Sequence, residues 1–168
     1  DLNLWIKGNG YEYRRINDLP KVFMVIPVDF PAKPKVSNPY NALEYSTKQL
    51  KHWDMAPDNL SKLAESGFEF ALTTNGLKRK KDLKKNISKA VQRGLSKSDA
   101  LASLTTIPAK AFGESKRLGK IAPGYIANLV VTNDSYFNQK SVINTVWIEG
   151  DQFVINPEPI VKAQGRWT

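Results

Sequence analysis

The chain of 168 residues carries 25 lysines and arginines against 16 aspartates and glutamates, a formal net charge of +9, and it has no cysteine. This length suits one domain, or two small ones that share a core. The lack of cysteine excludes disulfides, thiolate metal sites and cysteine nucleophiles, but leaves the cell compartment open. No apolar run approaches the roughly 20 residues that span a bilayer, so no membrane span is expected. The N-terminus shows no initiating methionine and no targeting segment, and we expect the chain to continue a longer protein.

The basic charge is concentrated in one segment. Residues 78–97 hold nine basic side chains and one acidic one, Asp82, whereas the rest of the chain holds sixteen basic and fifteen acidic residues. Such a segment is either the solvated face of an outer helix or a surface for an acidic partner, membrane headgroups or phosphates. No aromatic residue is interleaved with the charges and no nucleic-acid motif is visible, so nucleic acid is not expected. The candidate anion-binding residues are Lys80, Lys81, Lys84 and Lys85.

The first elements in chain order are a short β-prone run over residues 2–7, a helix over 11–19 and a clear strand over 21–30. The last of these is an almost continuous apolar run, which is typical of a strand covered on both faces in a parallel sheet. Pro31, Pro34 and Pro39 then predict a loop to about Tyr40, because proline removes a backbone donor and restricts the residue before it.

The middle of the chain alternates helices with a strand. The predicted elements are a helix over 58–65 ended by Gly67, a strand over 68–74 ending at Asn75-Gly76, and an amphipathic helix over 82–93 ended by Gly94. Ser96, with Asp99 three positions later, resembles a capping box and predicts another helix start. The apolar face of that helix is expected to hold Ala100, Leu101, Leu104 and Ala111, with Pro108 bending or ending it.

The last third of the chain has a β pattern. Short strands are predicted over residues 118–121 and 128–131 around Pro123-Gly124. Two further strands, over 142–149 and 152–155, flank Gly150-Asp151, which indicates a hairpin turn. The proline-containing tail over 157–168 is typical of a linker to another module.

This order of elements resembles the C-terminal part of the amidohydrolase superfamily, nearest to its imidazolonepropionase-like members. The segments that carry the resemblance are residues 63–75, 94–101 with 105–109, 119–124 with 127–131, and 146–150. The resemblance implies an α/β fold: a partial TIM-type (β/α) barrel over residues 1–113, part of a companion β-sandwich domain over 114–156, and a linker over 157–168.

The resemblance also implies a function. The parent would be a metal-dependent hydrolase of C–N bonds in cyclic amides or amidines, with zinc or another divalent metal in the complete protein and no metal site in this chain. Isolated, the chain would be inactive, because about three strands cannot close an eight-stranded barrel. Its partner would be the rest of the parent barrel or a second copy. The alternative is a non-catalytic structural or binding module that engages an acidic partner through the basic helix over 78–97.

The sequence departs from the family at the position that matters most. In the family, a carboxylate at the end of the eighth barrel strand binds metal and moves protons, and the matching residue here is Asn75. A neutral amide is no general base and is a weaker ligand, so the parent domain could be degenerate; alternatively, Asn75 and Gly76 simply form a turn. His52 is the only histidine, which excludes a histidine-based metal cluster within the chain. His52 and Trp53 are expected to precede a helix, in the loop region of the barrel mouth, and are either substrate contacts or packing residues.

Overall fold

A computed structural model of the chain describes Trp5–Lys7 and residues 20–157. The predicted helix over 11–19 and most of the predicted linker lie outside the described residues. Three strands form a parallel sheet, β1 (Trp5–Lys7), β2 (Phe23–Pro27) and β3 (Phe70–Thr73), in the order β1-β2-β3. The apolar run therefore does form a strand, and β2 lies in the middle of this sheet as its composition indicates.

The connection from β2 to β3 is more helical than predicted. It contains α1 (Pro39–Ala42), α2 (Thr47–Met55), a 3-10 helix (Ala56–Asp58) and α3 (Asn59–Glu65). The helix α2 begins with a reciprocal capping box: the Gln49 N–H donates to Ser46 Oγ (3.3 Å) and the Ser46 N–H donates to Gln49 Oε1 (2.8 Å). The Ser-x-x-Gln spacing is visible in the sequence, and it is the signal that would have predicted this helix.

After β3 the chain forms α4 (Asp82–Gln92), α5 (Lys97–Ala102) and α6 (Thr106–Ala111). The prediction of α4 is confirmed, and Gly94 follows it with a φ of 109° that favours glycine. The prediction of one helix from Ser96 to about 111 is wrong, because the chain breaks between α5 and α6. Pro108 lies in the first turn of α6, where a missing N–H costs no hydrogen bond. Leu101 is exposed, so the predicted apolar face is also wrong at that residue.

The buried core lies where β2 and β3 meet α3, α4 and α5. Its members are the buried apolar side chains that pack together in one cluster: Met24, Ile26, Val28, Leu60, Leu63, Phe68, Phe70, Ile87, Ala90, Leu95 and Ala100. The apolar stripe of α4 contributes Ile87 and Ala90, as its 3.6-residue spacing predicts. No helix of the described part of the chain is long and apolar enough to cross a membrane.

The last third forms an antiparallel sheet, β4 (Leu129–Thr132), β5 (Ile143–Ile148) and β6 (Asp151–Val154), in that order. The predicted hairpin is present, but its turn residues are Glu149 and Gly150, whose φ values of 54° and 97° are those of a type I′ turn. The predicted turn, Gly150-Asp151, therefore lies one residue too far toward the C-terminus. The prediction of a strand over 118–121 is wrong: these residues form an irregular, bent segment, and Ile121 is exposed.

The antiparallel sheet has apolar side chains on both faces. Cross-strand partners share a face, so Val131 and Val154 lie on one side and Val130 and Phe153 on the other. All four are between 44% and 59% exposed. The loop from β4 to β5 contacts the helical part of the chain, because Phe137 packs against the buried core.

Candidate functional site

The carboxyl ends of β2 and β3 lie side by side at one edge of the parallel sheet, because the two strands are parallel neighbours. This edge is where enzymes built on parallel sheets place their functional side chains. The residues that follow the two strands are Val28 and Asp29 after β2, and Thr74, Asn75 and Gly76 after β3. We therefore treat this edge as the candidate site.

Asn75 lies in an exposed turn at the end of β3. Its backbone N–H donates to Thr73 Oγ1 (3.2 Å), and the Leu77 N–H donates to the Thr74 carbonyl (3.1 Å), which closes the turn. This geometry agrees with the predicted position of Asn75 at a strand end. The donors of these hydrogen bonds are backbone N–H groups, which agrees with the alternative that Asn75 and Gly76 simply form a turn.

Asp29 is a carboxylate at this edge that the sequence reasoning did not single out. A Cβ atom placed on Gly76 would lie 2.3 Å from Asp29 Oδ2 and 2.8 Å from its Cγ, so the carboxylate lies directly against the glycine. Gly76 also has a φ of 88°, a conformation that residues with side chains rarely adopt. The signal was present in the sequence, because Asp29 is the first charged residue after the buried apolar run.

The helix α4 fixes the segment that carries Asp29. Asn86 Nδ2 donates to the carbonyl of Val28 (2.6 Å), the residue before Asp29, and Val28 itself is fully buried. One residue after Asp29, the ammonium of Lys89 lies 5.8 Å from the centre of the Phe30 ring, a cation–π contact. The residues on both sides of Asp29 thus contact one helix, Val28 through its carbonyl and Phe30 through its ring, and these contacts position the carboxylate.

His52 and Trp53 lie inside α2 and are half-buried. The expectation that they precede a helix, in a loop, is wrong, because the capping box starts the helix six residues before His52. Their predicted role as substrate contacts stays a prediction.

The end of the same helix is bound by Arg93. Its Nε and Nη2 donate to Asp58 Oδ1 (2.5 Å) and Oδ2 (3.0 Å), and Nη2 also donates to the carbonyl oxygen of Asp54 (2.8 Å). The hydrogen bonds to Asp58, with the charges of both aspartates, raise the pKa of Arg93. This cluster joins the end of α4 to the end of α2.

The four predicted anion-binding lysines do not form one free surface. Lys80, Lys81 and Lys85 are exposed, whereas Lys84 is half-buried and its Nζ donates to the Ser141 carbonyl. Lys84 therefore serves to join α4 to the loop between β4 and β5. The anion-binding role of all four stays a prediction, although the Lys84 ammonium already donates to a carbonyl within the chain.

The metal-ligating side chains of this chain do not form a cluster within the described ranges. In the ranges that the structure describes, no three His, Asp or Glu side chains lie close enough together to hold a metal ion. At the candidate site, Asn75 offers an amide where a carboxylate is the stronger ligand for a hard or borderline cation.

Comparison with known proteins identifies the family. The sequence profile of the Amidohydrolase family matches residues 56–153. The amidohydrolase tasK of Hapsidospora irregularis is 35% identical over 79 residues, which is 47% of this chain and 8% of that protein. The crystal structure of an amidohydrolase from Thermotoga maritima MSB8 superposes with a TM-score of 0.66 at 28% identity, over 90% of this chain and 37% of the other.

A crystal structure of a Xaa-Pro dipeptidase with bound methionine superposes with a TM-score of 0.53 at 22% identity, over 64% of this chain and 27% of its own, and this likeness shows a shared fold. The chain thus spans well under half the length of each of these relatives. The matched segment contains β3, the three helices after it and the antiparallel sheet. The chain belongs to the amidohydrolase family.

Proposed function

We propose that this chain is the C-terminal part of an amidohydrolase: the last strands of its TIM-type barrel, over residues 1–113, followed by part of its β-sandwich domain, over 114–156. The observation that carries the proposal is the strand order β1-β2-β3, in which consecutive parallel strands are neighbours, as in a barrel. The superposition on the Thermotoga maritima amidohydrolase supports it, because nearly all of this chain matches about a third of that one.

The parent protein hydrolyses C–N bonds, with cyclic amides or amidines as the substrate class and zinc or another divalent metal as its cofactor. Two structural relatives with the same fold are named as a Xaa-Pro dipeptidase and a prolidase, and both names denote cleavage of a C–N bond. The histidine ligands come from parts of the parent outside this chain, which has one histidine. The isolated chain is inactive, because it contains only part of the barrel and of its ligands.

The partner of this chain is the rest of the parent protein or, in its absence, a second copy. Both faces of the antiparallel sheet expose apolar side chains, and one face carries an open groove of about 490 Å³ lined by Val131, Trp147 and Val154 among others. A three-stranded sheet gains stability when such faces are covered by another layer. Exposed apolar patches of this kind are typical of protein–protein contacts.

Asn75 weakens the metal site of the parent. The experiment measures bound metal by mass spectrometry, and hydrolysis of a cyclic amide, in the full-length protein and in the variant Asn75→Asp. The control is Asn128→Asp, the same chemical change at a position whose side-chain oxygen accepts the Glu149 N–H (2.8 Å) and can still do so as an aspartate. We expect Asn75→Asp to bind metal at least about tenfold more tightly than the parent, with Asn128→Asp unchanged.

If neither the parent nor Asn75→Asp binds a divalent metal or hydrolyses an amide, the hydrolase proposal fails. If all three proteins bind metal equally, the role assigned to Asn75 is wrong and the hydrolase proposal stands. Sedimentation of the isolated chain tests the partner separately. If the isolated chain is well folded and strictly monomeric, the proposal that its antiparallel sheet is a docking face is wrong.

A further inference from the structure

The nine cations of residues 78–97 divide into two groups. Four of them have partners within the chain: Arg79 binds Asp82, Lys84 binds the Ser141 carbonyl, Lys89 lies over Phe30, and Arg93 binds Asp58. A fifth, Lys97, is the first residue of α5, and its charge adds to the hydrogen bonds from Ser135 and Asn138 that lower the pKa of Asp134. The remaining four, Lys78, Lys80, Lys81 and Lys85, we call the cationic patch.

The acidic neighbour of the cationic patch among the described residues is Asp82, which lies close enough to Lys81 and Lys85 for their charges to act on it but is already paired with Arg79. All four side chains are exposed, and among the described residues none of their ammonium groups forms a hydrogen bond or ion pair. The one acid of the segment, Asp82, already accepts from Arg79 through both carboxylate oxygens, at 2.9 Å each. Four like charges within eight residues therefore create a positive potential that the chain does not neutralise.

The neighbouring apolar residues argue against a membrane as the ligand. Leu77 and Leu83 flank the patch, and both pack against the buried core. The patch accordingly offers no apolar side chain to insert between lipids, which stable membrane attachment by a basic segment usually adds to charge.

The composition of the patch argues against nucleic acid. It contains no aromatic residue for base stacking, and the two arginines of the segment are held by Asp82 and Asp58. Lysine ammonium groups on flexible stems are suited instead to several separate carboxylates, which they meet as point charges.

We propose that the cationic patch is a docking surface for an acidic segment of a partner polypeptide, rich in aspartate and glutamate. The patch begins two residues after Gly76, so the bound segment lies beside the candidate site at the carboxyl edge of the sheet. The rest of the chain is almost neutral and supplies no complementary acidic surface of equal charge, so a second copy of this chain does not fit as the partner. This inference does not depend on the hydrolase proposal.

The test measures binding of a fluorescently labelled decaglutamate peptide by anisotropy. The patch variant replaces the four lysines by glutamine: Lys78→Gln, Lys80→Gln, Lys81→Gln and Lys85→Gln. The control variant makes the same change at four exposed lysines in an earlier part of the chain, and so has the same net charge: Lys33→Gln, Lys35→Gln, Lys48→Gln and Lys51→Gln. Anionic lipid vesicles and a single-stranded oligonucleotide are titrated in parallel.

We expect the patch variant to lose about tenfold in affinity for the peptide and the control variant less than about twofold, since four exposed pairs are lost in one case only. Binding by the wild-type chain should weaken as salt screens the charges. Equal losses in the two variants, or no peptide binding by the wild-type chain, would overturn the proposal. Tighter binding of vesicles or oligonucleotide through the same lysines would overturn the assignment to a polypeptide.

Discussion

Replacing Arg93 with alanine should lower the free energy of unfolding by about 2 kcal/mol. The guanidinium follows α4 and binds Asp58 in the 3-10 helix and Asp54 at the end of α2, 35 and 39 residues away in sequence. The variant therefore loses a connection between two helices that the core alone does not join at this point.

The two aspartates should contribute unequally. The Asp58 side chain is 27% exposed and binds Arg93 through both oxygens, so this pair lies between an exposed ion pair and a buried one, and we expect a coupling of about 1 kcal/mol. The Asp54 side chain is 63% exposed, and its coupling should be about 0.3 kcal/mol. The hydrogen bond to the Asp54 carbonyl and the packing of the arginine stem account for the rest.

Urea unfolding, followed by tryptophan fluorescence, measures these values in double-mutant cycles that combine Arg93→Ala with Asp58→Ala or Asp54→Ala. The matched control is Arg117→Ala, which removes an arginine whose ion pair with Glu114 is long (3.6 Å) and exposed. That variant should lose less than about 0.5 kcal/mol.

If Arg93→Ala is no more destabilising than Arg117→Ala, the hydrogen bonds of Arg93 do not contribute the stability assigned to them. The prediction is also refuted if the coupling to Asp54 equals or exceeds the coupling to Asp58, because the bidentate and less exposed pair would then have no advantage.

Three further predictions concern stability and use the same unfolding measurement. Gly119→Ala should cost about 3 kcal/mol and Gly67→Ala about 1 kcal/mol: both have positive φ, but a Cβ at Gly119 would lie 2.9 Å from a backbone carbonyl, whereas Gly67 faces open space. Similar losses would show that the contact at Gly119 relaxes freely. Ile87→Ala should cost about 3 kcal/mol, and Leu101→Ala under about 1 kcal/mol, because the first side chain is fully buried and the second exposed. The N–H of the next residue, with a nearby asparagine amide, holds the pKa of Asp134 below its ordinary value. This carboxylate therefore contributes stability above about pH 4 that is lost as the pH falls through its lower folded-state pKa, and Asp134→Asn should flatten that part of a pH titration of the unfolding free energy.

Much of the architecture was readable from local patterns. The apolar run around Val25 predicts a buried strand, and the 3.6-residue spacing of Ile87 and Ala90 predicts α4. These predictions are confirmed, because each depends on which face of a single element must be covered. The helix α2 was not predicted, although the Ser46–Gln49 capping box at its start is a local signal in the sequence.

Other errors had causes beyond local pattern. The residues over 118–121 have the composition of a short strand, yet they form an irregular segment in which Ile121 is exposed, because a strand forms only where a neighbour supplies the other half of its hydrogen bonds. Leu101 has the helical spacing of a core residue, but in α5 it is Ala100 that is buried, and Leu101 is exposed.

Local sequence patterns establish the family, the α/β-then-β order of elements, the position of Asn75 at a strand end and the concentration of charge in residues 78–97, although the helix there covers only Asp82–Gln92. Which charges are available follows from the packing of distant segments: Lys84 and Arg93 are bound within the chain, and Asp29 lies against Gly76. The physical reason is that periodicity fixes the faces of one element, whereas a side chain's partner depends on which distant segment the packed core brings beside it.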